Sequence, residues 1–417
     1  MPKKTIIILM GLLFALAYLP AQEKKDEAAV TALVGGTLID GTGAAPLPNA
    51  TILIEGERIK ETGPAGKVKI PKNARRIDVS KKWVLPGFID LHTHFTYGPL
   101  AEQDSLFPDC LATLRALCFM DMYLRSGVTT TRDVGGRVEP LNALASASAQ
   151  GFVDTIRTFG CGDLITVTGG HGSGLRSSKE FDGPWEWRKA VRLAFRDGFR
   201  HIKLSPTYTM EEVRAAADEA RILGMRTTVH GGGLSDTTPT SMTRLAVQAG
   251  IQCIEHVNEM EDDVLDLMAE KGVHLVPTLS VYREQYRRNE IPPSLIEERG
   301  WTLAMHETLF KKAKARGITL GIGTDVIFHY SGMYPKVYFE EMQYFVDLGM
   351  SRMEAIVCAT RSGAIVLGVE KLLGTVESGK LADLQVITGD PLVSFDALGQ
   401  PEIVIVGGRI HDHKKAS

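Results

Sequence analysis

The sequence predicts an α/β protein: a (β/α)8 TIM-type barrel with a small β-sandwich domain built from both ends of the chain. Three observations lead there. From Trp83 to about residue 370, short apolar runs alternate with amphipathic stretches, as repeated βα units around a parallel sheet do. Eight such runs end near His92, Asp133, Phe159, Leu204, His230, Glu255, Thr278 and Asp325, over about 290 residues where a (β/α)8 barrel needs about 250. Outside this region, both ends of the chain show a different texture of short strands separated by turn residues.

Lys3 and Lys4 followed by an apolar run from Ile6 to Ala17 read as a secretory signal peptide over residues 1–21, with cleavage after Ala17 or Ala21. The run is too short to span a bilayer, and no cysteine beside it offers a lipid anchor. The expectation is a secreted or periplasmic protein without a membrane anchor after cleavage. Strands are expected from Ala32 to Asp40, Ala50 to Ile59 and Ala74 to Val79, and again near Leu384 to Thr388 and Glu402 to Ile410. Residues 30–82 and 371–412 therefore form one composite β domain, with the barrel at 83–370 inserted into it. Within the barrel, helical patterns cover 103–125, 185–197, 210–222, 240–249 and 296–315.

Composition narrows the function classes. At 417 residues and 44% hydrophobic content, the chain has ample material for a large core. Without the leader's two lysines, 45 basic residues face 50 acidic ones, which argues against nucleic acid as a partner. The five cysteines have no paired spacing, so neither a disulfide framework nor a zinc knuckle is expected. Metal chemistry must then come from histidine and carboxylate. Nothing marks an interface, although barrels with a β appendage often form homo-oligomers.

The run Leu85-Pro-Gly-Phe-Ile-Asp-Leu-His-Thr-His94 ends an apolar strand with two histidines on one face, because strand side chains alternate. His92 and His94 can thus grip one ion. Other strand ends carry matching chemistry: Lys203, His230, His256 and Asp325. In a barrel, catalytic residues gather at the C-terminal ends of the strands. The glycine-rich Ile165-Thr-Val-Thr-Gly-Gly-His171-Gly-Ser-Gly lets backbone approach a ligand, and His171 there can donate a hydrogen bond to a carbonyl oxygen as charge develops. Lacking Gly-Lys-Ser/Thr, the loop is not a phosphate-binding loop. Tyr208, Tyr282, Arg283 and Arg287 are candidate substrate contacts, Arg through a bidentate clamp on a carboxylate, though the arginine cluster also reads as a solvated helix face. His201, His274, His306, His329, His411 and His413 lack motif support and read as structural or surface residues.

Several ordered motifs resemble the amidohydrolase superfamily, in its dipeptidase branch related to Xaa-Pro dipeptidase and imidazolonepropionase. They are Pro86-Gly-Phe-Ile-Asp-Leu-His-Thr-His94, Ser126-Gly-Val-Thr-Thr-Thr-Arg-Asp133, Thr168-Gly-Gly-His-Gly172, Ile254-Glu-His256, Val276-Pro-Thr-Leu279, Gly323-Thr-Asp325 and Gly374-Thr-Val-Glu-Ser-Gly-Lys-Leu-Ala-Asp383-Leu. The resemblance implies two Zn²⁺ ions bridged by a carboxylated Lys203, the first held by His92, His94 and Asp325 and the second by His230 and His256. A lysine ammonium beside two cations would be repelled, so Lys203 there must be neutral, displaced or a carbamate. Asp325 would serve as catalytic proton carrier. Relatives often carry a second histidine close behind the strand-five ligand, whereas His230 is followed by Gly231-Gly-Gly233, which puts the adjoining subsite in question. The expected activity is hydrolysis of the amide or peptide bond of a dipeptide or N-acyl amino acid. The alternatives are cyclic-amide hydrolysis and, with less support given the retained ligands, a non-catalytic assembly role.

Overall fold

The computed structural model describes residues 30–232, 239–258 and 260–412, so the expected leader and His413 lie outside the described residues. The N-terminal part contributes strands β1 (Val30–Leu38), β2 (Leu47–Glu55), β3 (Arg58–Pro64), β4 (Arg75–Asp78) and β5 (Trp83–Pro86). The middle supplies β6 (Phe88–Thr93), β7 (Val128–Asp133), β8 (Arg157–Gly160), β9 (Leu164–Thr166), β10 (Ser178–Glu180), β11 (His201–Leu204), β12 (Arg226–His230), β13 (Cys253–Glu255) and β14 (His274–Val276). The C-terminal part adds β15 (Leu384–Ile387), β16 (Ile403–Val406) and β17 (Arg409–Asp412).

Both chain ends meet in one eight-stranded sheet ordered β17-β16-β15-β5-β1-β2-β3, with β4 also paired to β1. The sandwich expectation is corrected in one respect: hydrogen bonding runs continuously through a single sheet. β1 makes this possible by pairing β4 along Thr31–Val34 and β5 at Thr37 and Leu38, with register shifts between Val34 and Leu38. Such irregularities bend a strand. Leu33, Ile52 and Ile54 from one half then share an apolar cluster with Leu384, Val386, Ile403 and Ile405 from the other. The sheet also reaches past the boundary expected at residue 82. In β5, Val84 packs into this cluster while its neighbour Leu85 packs into the large core of the middle region, as period-2 alternation requires.

The strands of the middle of the chain form two parallel sheets. β6, β7 and β8 pair in parallel, as do β9, β11, β12, β13 and β14 in that order. Residues 319–326 lace the two groups together: Gly321 N donates to Leu275 O (3.1 Å), Leu91 N to Ile322 O (2.9 Å) and Asp325 N to His92 O (2.8 Å). This is the expected eighth strand, held by single bridges at Leu320 and Val326 and not by a regular ladder. Asp90 makes up the difference. Its carboxylate accepts from Thr324 N (3.2 Å), Thr324 Oγ1 (2.8 Å) and Tyr123 Oη (2.6 Å), tying the irregular segment to β6.

Helices cover the outside of these sheets, and their ends follow local chemistry. Helix 210–222 begins where Thr209 and Glu212 cap each other reciprocally, and it buries Val213, Ala216, Ala217 and Ala220 at helical spacing. Two expected helices are shorter than their patterns. The 103–125 pattern becomes a 3₁₀ turn at 101–106 and, after Pro108, a helix over 109–126. The 296–315 pattern breaks at Gly300 (φ 65°), and Thr302 caps a new helix over 303–315. The break leaves Trp301 buried at the end of the parallel strands.

Close packing constrains the segment that leads to Asp325. A Cβ on Gly323 would lie 2.3 Å from Val276 Cγ1 and 2.9 Å from His92 Cβ. Gly323→Ala should therefore destabilise the protein by about 1–3 kcal/mol, the usual cost of overpacking, measured as a lowered midpoint in denaturant unfolding; an unchanged midpoint would contradict this packing.

Candidate metal centre

The C-terminal ends of the parallel strands converge on one buried cluster. His92 and His94 project from the end of β6, and both meet the same carboxylate: Asp325 Oδ1 lies 3.2 Å from His92 Nε2 and 3.3 Å from His94 Nε2. On the other side, His256 Nε2 lies 3.1 Å from His230 Nδ1, and His256 Nδ1 lies 3.8 Å from Asp325 Oδ2. Two ligands held at 2.0–2.1 Å from one tetrahedral ion are separated by about 3.3–3.4 Å. The spacing within each group is close to that edge. His92, His94 and Asp325 satisfy the requirement for a three-ligand site among the described residues.

Electrostatics suits cation binding. Burial pushes His94 down to about 4 and holds His256 well below the usual imidazole range despite the opposing pull of Asp325, and burial reinforced by the neighbouring imidazoles and Lys203 does the same for His230. Their neutral rings keep lone pairs for a metal. Burial alone would raise Asp325, but the surrounding imidazoles, His92 foremost, hold it well below the usual carboxylate range. Lys203 reaches the same centre from β11. Its Nζ is buried with no hydrogen-bond partner, and burial lowers its affinity for a proton. An orphaned amine among neutral imidazoles is a costly arrangement unless another group completes it.

Behind the ligands sits a charge network. Glu255, fully buried on β13, accepts from His92 Nδ1 (2.8 Å), from Arg132 Nη2 (2.5 Å) and from Thr228 Oγ1. The first contact leaves His92 Nε2 as the free lone pair, the usual arrangement for a metal-binding histidine. Burial opposes ionisation of Glu255, yet the Arg132 guanidinium keeps it well below the usual carboxylate range. Thr278 plays the corresponding part for His256, with its hydroxyl 2.7 Å from Nδ1.

Backbone conformation aims two of these ligands. His256 (φ 75°) just beyond β13, Asp325 (φ 51°) within the 319–326 segment and Thr278 (φ 50°) after β14 all occupy the left-handed region. Such residues cost about 1–3 kcal/mol each and persist only where surrounding structure holds them. Here main-chain hydrogen bonds do so, from His256 N to Val276 O (2.7 Å) and from Asp325 N to His92 O (2.8 Å).

The cluster opens into a cavity of about 350 Å³. His171 lines it, with its ring 4.4 Å from that of His230, and burial pushes the imidazole down to about 4. Tyr282 lines it as well, stacked on His306 at 4.4 Å. Three other expected contacts are corrected. Tyr208 is buried in the helical layer, where its hydroxyl donates to Met242 O (2.7 Å), and it does not line the cavity. Arg283 sits one residue past Tyr282 on a helix, turned about 100° away, and packs over Tyr344 beside a separate cleft of about 570 Å³. Arg287 is exposed beside that cleft and paired to Glu284. His201 and His306 are structural as expected, bonded to the carbonyls of Leu367 and Val257.

The sequence reading missed Glu255, Arg132 and Thr278, although all three lie inside motifs it quoted. Their strand-end positions carried the signal, since a buried charged residue beside a ligand needs a partner. Tyr97, Gln285, Trp301 and Phe328 also line the cavity without having been singled out; Tyr97, Trp301 and Phe328 belong to loops, turns and helix breaks, where side-chain direction is not periodic, while Gln285 shares a helix face with Val281 and Tyr282.

Residues 83–411 match the Amidohydrolase family. The chain belongs to the amidohydrolase family. Among its relatives, ochratoxinase of Aspergillus niger is 27% identical over 91% of this chain and 85% of its own length. Imidazolonepropionase of Clostridium tetani is 24% identical over 82% of this chain and 84% of its own. A solved structure of a Xaa-Pro dipeptidase, with methionine bound in its active site, has a TM-score of 0.80 and 29% identity, covering 92% of this chain and all of that one. This amidohydrolase is accordingly a metal-dependent hydrolase.

Glu255→Gln would leave Arg132 buried without its counter-charge. Breaking such a pair costs about 3–5 kcal/mol, so the variant should unfold at clearly lower denaturant concentration even when metal-free. A midpoint equal to that of the unaltered protein would show that the network does not bear on stability.

Proposed function

We propose that this amidohydrolase is an exported binuclear zinc enzyme that hydrolyses the amide or peptide bond of dipeptides or N-acyl amino acids. The observation that carries the reading is the convergence of four histidines, Asp325 and the unpartnered Lys203 on one buried cavity wall. In this reading the parallel strands form a (β/α)8 barrel whose ends meet at β8 and β11, where Phe159 packs against His201. The composite sheet, taken as residues 30–82 and 371–412 with β5 added, is its second domain. Export is inferred from the leader-like residues 1–21, and it favours peptides over the cyclic amides of cytoplasmic metabolism.

His92, His94 and Asp325 would hold one zinc, His230 and His256 the other, and Lys203, carboxylated on its amine, would link them. Bound there, the ions would lower the pKa of a shared water and polarise the substrate carbonyl. The side chains do the rest. Asp325, ionised and within reach of both ligand groups, takes a proton from the attacking water and passes it to the leaving amine. His171, a neutral imidazole on the cavity wall beside His230, donates its N–H to the carbonyl oxygen as negative charge grows there. Tyr282 lines the cavity beside His256, where it would limit the access of water to the reacting bond. A carbamate on Lys203 removes the repulsion that an ammonium would meet.

Elemental analysis of purified protein should give close to two zinc ions per chain; a value near zero after reconstitution would favour the non-catalytic alternative. Asp325→Asn should lower kcat by at least about a hundredfold, within the range general acid–base catalysis contributes. Turnover near that of the unaltered enzyme would remove Asp325 from proton transfer. Assayed against dipeptides, N-acyl amino acids and cyclic amides, the enzyme should cleave members of the first two groups. Turnover of cyclic amides alone would replace the reading with the imidazolonepropionase-like one.

A further inference from the structure

The helix Leu279–Arg287 forms one wall of the catalytic cavity through Val281, Tyr282 and Gln285. Threonine at the residue before a helix ordinarily turns its own hydroxyl back onto the first free backbone N–H groups. Thr278 stands at that position and does not. It adopts a left-handed backbone (φ 50°, ψ 43°), makes no side-chain cap, and places its hydroxyl 2.7 Å from His256 Nδ1. The helix start is satisfied from elsewhere. Glu341, fully buried on the helix Lys336–Asp347, accepts from Leu279 N (2.9 Å) and Ser280 N (2.6 Å).

We propose that Glu341 is a positioning residue for the metal centre: by capping the helix in place of Thr278, it releases the Thr278 hydroxyl to orient His256. The two carboxylate oxygens take the first two N–H groups of the helix, and the second of them, Ser280 N, is one that a capping threonine hydroxyl ordinarily takes. With the cap supplied by Glu341, the His256 N–H has a fixed acceptor and its Nε2 faces His230. Without it, the orphan N–H groups draw the hydroxyl back, His256 loses the partner that sets its ring orientation, and the Val281–Tyr282 wall shifts with the helix. Partners of this kind typically contribute 10–100-fold to metal affinity. This inference rests on the two-metal reading above and concerns the ion assigned to His230 and His256.

The experiment measures stepwise zinc affinity by chelator competition, together with KM, for the full-length protein and the variants Glu341→Gln and Glu341→Leu. Gln retains one acceptor and Leu none. The weaker of the two zinc affinities should therefore fall in the order Glu, Gln, Leu, with a loss of at least about tenfold for Leu, and KM should rise in the same order. Lowered thermal stability with both zinc affinities and KM unchanged would overturn the proposal, leaving Glu341 as a structural cap. If neither variant folds, Thr278→Val, which keeps the shape without the hydroxyl, decides: weakened affinity for one zinc supports the coupling and unaltered affinity for both overturns it. Failure of the unaltered protein to bind two ions would instead remove the underlying reading.

Discussion

The arrangement depends on a single buried negative charge, Glu255, shared between a permanent cation and an imidazole. Arg132 alone at that depth would be intolerable, and so would Glu255 alone. Together they form a neutral pair whose remaining acceptor capacity faces His92. The pair thereby converts an electrostatic necessity into orientation. Asp90 performs a similar service one layer away, binding Thr324 and Tyr123, although burial pushes its own carboxyl up to about 6.

Strain at the strand ends is the other face of this arrangement. Asp325 and His256 both turn through the left-handed region, His256 immediately after β13 and Asp325 within the irregular segment 319–326. Main-chain hydrogen bonds to neighbouring strands hold those turns. Side-by-side parallel strands are suited to this because each strand end is flanked by another that can supply a carbonyl. The ligands are consequently fixed by the strands as much as by their own rotamers.

How much of this was legible in the sequence follows from periodicity. His92 and His94, two apart on a strand, announced their common direction, and Lys203, His230, His256 and Asp325 stood at countable strand ends. The helix 210–222 could be read because its cap and its apolar spacing agree. Arg283 and Tyr208 were misplaced for the complementary reason. Beyond a strand end, a side chain's direction depends on how the loop enters the next helix, and a single residue of helical rotation sends Arg283 into a different cleft from Tyr282. The break at Gly300 was hidden within a continuous amphipathic pattern, and with it the burial of Trp301.

The placement of β5 bears on the order in which the molecule can be completed. Its two hydrogen-bonding edges are filled by β1, from the start of the chain, and by β15, about 300 residues later. Contacts so far apart in sequence are slow to form because a long loop must close first. While the chain is being made, β5 has one partner and one open edge, and the histidine pair lies only a few residues beyond it. The small sheet thus acts as a clasp that can close only once β15, about 300 residues beyond β5, has been made.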